Sequence, residues 1–95
     1  MGAYRLTAKA DEDLVGLYRY GIKTFGPASA DRYFDSLIAR MEAIGDAPTQ
    51  FQISDYRDGY RRSVHHPHTI YYRVIDAELV EIVRILYGQD PREGL

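Results

Sequence analysis

The chain has 95 residues, a formal net charge of −2 and no cysteine. That length makes one domain with a small core, the missing thiols exclude disulfide staples and cysteine-based zinc sites, and a pI of about 5.8 is not that of a dedicated nucleic-acid binder. Apolar residues, at 45%, suffice for a core; the opening residues lack the apolar stretch of a signal peptide and no apolar run is long enough to span a bilayer, so a cytoplasmic protein with no membrane contact is expected.

Tyr4 and Leu6 alternate with Arg5, which predicts a short first strand. Thr7 offers an N-cap oxygen, and Asp11, Glu12 and Asp13 place negative charge in the turn that follows. Leu14, Tyr18, Ile22 and Phe25 recur at helical spacing, predicting a helix over 8–25. Gly26-Pro27 stops that helix and starts another. Ala30, Phe34, Leu37, Met41 and Ile44 then step by four and three through a second helix over 27–45, ended by Gly45, Asp46 and Pro48.

Residues 49–58 carry no clear period and are expected to form a loop. After Gly59 the period changes to two. Strands are expected at 60–65, around 70–75 and at 79–87, with turns at His66-Pro67 and Asp76-Ala77. Gly88, Pro91 and Gly94 lead into an irregular tail. The predicted fold class is α+β: a short N-terminal strand, an antiparallel helical hairpin and a three-stranded antiparallel sheet.

The last strand is apolar at both parities. Val80, Ile82 and Leu86 form one set; Leu79, Val83, Ile85 and Tyr87 form the other. Such a strand belongs inside a sheet with both faces covered. One helical hairpin covers one face, so the second awaits the loop, the tail or a partner.

Chemistry-bearing patterns are sparse. His65, His66 and His68 are close together, but no carboxylate among them completes a metal site. No serine has a nucleophile-elbow context, and no glycine-rich loop is built for phosphate. No cofactor, metal or catalytic residue is expected. Arg84 interrupts the apolar run Ile82-Val83-Arg84-Ile85-Leu86 and must find a carboxylate, solvent or a bound anion. Arg61, Arg73, Arg84 and Tyr87 on one face would be the groups to hold a scissile phosphate, with His65 as base only if it turned to the same face.

Tyr4-Arg5-Leu6-Thr7 with Ala10 and Asp13-Leu14 resembles the opening of ParE-type toxins of the RelE/ParE superfamily. So do Tyr20, Phe25-Gly26, Ala30, Tyr33 and Leu37 along the hairpin, and Pro48, Gly59, Arg61, Ile70, Tyr72 and Val74 beyond it. The closing Ile82-Val83-Arg84-Ile85-Leu86-Tyr87 completes the pattern. Phe25 stands where Trp is frequent, Tyr87 where His is frequent, and Gly45-Asp46-Ala47 interrupts a usually more apolar helix end. The resemblance implies a toxin of a type II toxin–antitoxin system, in a hetero-oligomer with a ParD-like ribbon-helix-helix antitoxin. It implies DNA gyrase as target, inhibited by binding, and DNA contact only through the antitoxin. The alternative is a ribosome-dependent mRNA endoribonuclease of RelE type. The antitoxin is expected on whichever set of the last strand the hairpin leaves uncovered, with Val80, Ile82, Leu86 and Tyr87 as the named contacts, and on the helix flanks at Leu17, Tyr33 and Ile38. Its carboxylates would meet Arg61, Arg62, Arg73 and Arg84.

Overall fold

The computed structural model describes residues 2–54 and 58–88. Strand β1 (Ala3–Leu6) leads into helices α1 (Ala8–Phe25) and α2 (Pro27–Asp46). After a 3₁₀ turn (Pro48–Gln50) come β2 (Gln52–Ile53), β3 (Tyr60–His65), β4 (His68–Asp76) and β5 (Leu79–Tyr87). The expected irregular tail through Pro91 and Gly94 lies outside the described residues, as do 55–57 of the expected loop.

The helix boundaries follow from local chemistry. The Thr7 hydroxyl accepts from the Ala10 N–H at 3.0 Å and caps α1. Gly26 has φ +93°, a conformation that favours glycine. Its N–H donates to the Ile22 carbonyl, while its own carbonyl accepts from Ala30, so one residue closes α1 and opens α2. Pro27 takes the first position of the new helix, where its missing N–H costs nothing.

The sheet overturns the predicted three-stranded antiparallel arrangement. It has five strands in the order β1-β5-β4-β3-β2 and is mixed. β1 pairs in parallel with β5, Ala3 opposite Leu79 and Leu6 opposite Ile82. The helical hairpin therefore carries the chain from β1 at one edge of the sheet to β2 at the other, and β5 returns to lie beside β1. β2, within the stretch expected to be loop, pairs antiparallel with β3 through two residues, too few to show an alternation. The β4–β5 reversal is at Ala77-Glu78, one residue later than expected. It lacks glycine because the Asp76 carboxylate accepts the Glu78 N–H at 2.8 Å.

Strand β5 also breaks the parity expected from its sequence. Tyr71 pairs with Arg84 and Tyr72 with Ile82, so Val83 is the extra residue of a β-bulge. Beyond the bulge the faces exchange. Ile85, and not Leu86, joins Val80 and Ile82 in the core. Those three pack with Ile70 and Tyr72 of β4 beneath Ala10 and Leu14 of α1 and Leu37, Met41 and Ile44 of α2. The end of α2 comes so close to β1 that a Cβ on Gly45 would lie 3.2 Å from the Ala3 carbonyl carbon. That close approach accounts for a glycine in the last helical turn.

The face of the sheet away from the helices is not the bare apolar surface expected. Glu81 there lies between Arg5 and Arg73, at 3.1 and 2.8 Å. Tyr71 beside them is fully buried.

Candidate functional site: an apolar groove on the helical hairpin

Three exposed aromatic rings surround an open groove of about 710 Å³ on the helical side. One wall is α1, with Gly16, Leu17, Tyr20, Gly21 and Phe25. The second is the start of α2, with Ser29, Ala30 and Tyr33. Pro67 and His68 of the β3–β4 turn and Tyr87 at the end of β5 close the far side. Tyr20, Phe25 and Tyr87 are 63%, 67% and 80% exposed. Phe25, placed on the buried stripe of helix 1 by its spacing, is thus a rim residue.

The two glycines of α1 shape the groove. A Cβ on Gly21 would lie 3.3 Å from the Ala30 Cβ, so its absence lets the helices close together. Gly16 faces open space, where a side chain would fill the groove. Helix propensity alone disfavours both glycines by about 1 kcal/mol relative to alanine.

One polar cluster borders this apolar surface. The Tyr33 hydroxyl lies 3.0 Å from the His65 carbonyl and 2.7 Å from Nδ1 of His68. The His65 ring reaches the Ser36 hydroxyl through Nε2 at 2.9 Å. His68 meets Tyr87 edge to face, centroids 5.8 Å apart. Burial pushes the Tyr33 phenol up to about 12. Burial also holds both imidazoles below the ordinary histidine value. Arg40 donates to the Ser63 hydroxyl and the Val64 carbonyl, so α2 side chains serve the edge of β3 beyond β2.

Of the sequence-predicted residues, Leu17, Tyr33 and Tyr87 line this groove. Ile38 is half-buried against the core, and Val80 and Ile82 lie within it. Leu86 is half-buried beyond the bulge. The arginines are dispersed. Arg61 donates to the Phe51 carbonyl at 2.8 Å and Arg62 to the Gln52 side chain at 3.1 Å. Arg73 is tied to Glu81. Arg84 meets Asp13 of α1 through Nε at 2.7 Å and Nη2 at 2.9 Å. His65 turns toward α2, where its ring reaches Ser36. Among the described residues no group of three or more His, Asp or Glu is placed to hold a metal.

Sequence reasoning passed over Gly16, Gly21 and Pro67 as groove residues. The available signal was two mid-helix glycines with no turn to make, beside Tyr20, an aromatic off the buried stripe.

Residues 4–91 match the family model described as ParE toxin of type II toxin-antitoxin system, parDE. Toxin ParE1 of Caulobacter vibrioides is 35% identical over 88 residues, covering 92% of this chain and 90% of that protein. The fold is similar to a solved chain from the chromosomal ParDE system of P. aeruginosa. There the TM-score is 0.81 at 21% identity, over 94% of this chain and 98% of the other. On the family match and the extent of the sequence identity, this chain belongs to the ParE toxins of type II toxin–antitoxin systems.

Proposed function

We propose that a ParD-like antitoxin neutralises this toxin by laying an apolar segment in the groove between α1, α2 and the β3–β4 turn. The observation that carries this reading is the exposure of Tyr20, Phe25 and Tyr87 around one apolar depression. Exposed aromatic clusters on a small domain mark binding surfaces. A helix with anchors at helical spacing suits a groove walled by two helices. A segment that folds on binding offsets its ordering cost with a large interface, more than the ~1,600 Å² of a standard complex. The antitoxin is a ribbon-helix-helix protein, and the pair contacts DNA only through it.

We further propose that the toxin acts in the cytoplasm by binding DNA gyrase, with no chemistry of its own. Arg61, Arg73 and Arg84 are each committed to a different partner and converge on no common point, which supports this over RNA cleavage. Purified toxin is expected to inhibit gyrase supercoiling or trap cleaved DNA, and to leave mRNA on translating ribosomes intact. Codon-specific mRNA cleavage by the wild type, lost in a folded Arg84→Ala variant, would establish the endoribonuclease instead.

A further inference from the structure

Tyr33 has one hydroxyl proton and two contacts to satisfy. The His65 carbonyl at 3.0 Å can only accept, while Nδ1 of His68 at 2.7 Å can do either. Both contacts are hydrogen bonds only if Tyr33 donates to the carbonyl and His68 donates from Nδ1. A neutral imidazole with its proton on Nδ1 carries a lone pair on Nε2. His65 is set in the reverse sense. The Ser36 hydroxyl donates to the Tyr33 carbonyl at 2.7 Å, so it must accept from Nε2–H of His65 at 2.9 Å.

With Nδ1 taken by Tyr33, Nε2 is the nitrogen His68 leaves to the groove. Its surroundings there are apolar, with Leu17, Phe25, Ala30, Pro67 and Tyr87 along the walls. A pure hydrocarbon laid over an acceptor strips its water and returns nothing. A carboxylate would set acceptor against acceptor. We infer that His68 is the specificity-determining acceptor of this groove, and that the segment seated there carries an apolar side chain ending in an N–H or O–H donor, as indole and phenol do.

The titratable and charged groups around His68 are Tyr33 of α2, His65 of β3 with Arg40 of α2 beside it, Tyr87 of β5 and Asp13 of α1. Burial and His65 oppose the imidazolium form, and only Asp13 favours it. The acceptor is therefore present at neutral pH and becomes a donor in acid. The inference rests on the groove being the antitoxin's seat only for the identity of the segment. The acceptor itself stands on the hydrogen bonds of Tyr33.

The test uses the whole chain. Nitrogen-15 NMR should find neutral His68 protonated on Nδ1 and neutral His65 on Nε2. Titration with indole and with 1-methylindole, alike in shape but lacking the N–H, should favour indole by about three- to tenfold, the worth of one net hydrogen bond. Indole should shift the His68 Nε2 resonance. The advantage should vanish in His68→Phe, in Tyr33→Phe, which frees Nδ1, and in wild type at acid pH. A His68 proton on Nε2, equal affinity for the two ligands, or an indole advantage that survives both variants would overturn the inference. An antitoxin that binds elsewhere would overturn the proposed function and leave these results unchanged.

Discussion

Asp13 and Arg84, 71 positions apart, form a two-point ion pair, and the same carboxylate oxygen that meets Arg84 Nε accepts the Ile85 N–H at 3.0 Å. The pair sits where β1 has ended and β5 continues. Thr7 performs the matching task one step earlier, donating its hydroxyl to the Val83 carbonyl at 2.8 Å while capping α1. Side chains from the start of α1 thus serve backbone groups of β5 at and after the bulge. Both carboxylate and guanidinium are about 15% exposed, so neither is free to exchange its partner for water cheaply.

Asp13→Ala should therefore cost about 2–3 kcal/mol in urea unfolding, because it removes a two-point carboxylate from a part-buried guanidinium and the acceptor of a backbone N–H. Asp13→Asn returns an acceptor but not the charge and should recover part of the loss. A change within about 0.5 kcal/mol for Asp13→Ala would remove the pair from the account of stability.

The two helix glycines should respond oppositely to alanine. Gly45→Ala forces a Cβ against the Ala3 backbone, and overpacking of about 1–3 kcal/mol outweighs the helix-propensity gain of about 1 kcal/mol. Gly16→Ala meets open space and should stabilise by about 0.5–1 kcal/mol, while narrowing the groove. Thermal unfolding checks the first effect, and antitoxin titration checks the second. A stabilised Gly45→Ala would mean that α2 can shift off β1.

Phe25→Ala and Tyr87→Ala remove exposed rings and should change unfolding free energy by less than about 0.5 kcal/mol. Each should weaken antitoxin binding about tenfold or more if the groove is the seat. Calorimetric titration of folded variants decides this. Unchanged affinity in both moves the interface elsewhere.

Stability should fall in two steps toward acid. His65 and His68 bind protons less readily in the folded chain than at the ordinary 6.5. The stability linked to them is complete above 6.5 and is lost as pH falls to their lower folded values. Glu81, held low chiefly by Arg73 and then by Arg5, repeats this below the ordinary 4.5. In denaturation followed against pH, Glu81→Gln should flatten the lower step and leave the histidine step in place. A histidine step of opposite sign would mean that partners, not burial, dominate those rings.

Much of the fold follows from period and punctuation in the sequence. The four-and-three stepping of Ala30 to Ile44 placed a helix with Leu37 inward, and Leu37 is fully buried. Thr7, Gly26 and Pro27 marked boundaries because cap and breaker residues act on their own backbone. The run of matching residues from Tyr4 to Tyr87 was enough to point to the family. Tertiary structure alone decided what depends on pairing between distant segments. β1 joins β5 in parallel although the hairpin and three strands lie between them in the chain, and such a pairing leaves no periodic trace. Val83 shifts a face only because Tyr71 and Tyr72 pair to either side of it. Arg84 had to reach a carboxylate, solvent or a bound anion, and only the fold brought the carboxylate of Asp13 to it. The groove belongs to the same class: Gly16 and Gly21 on one helix, Ala30 on the next and His68 in a distant turn make a surface only once packed, since concavity is a property of neighbours in space.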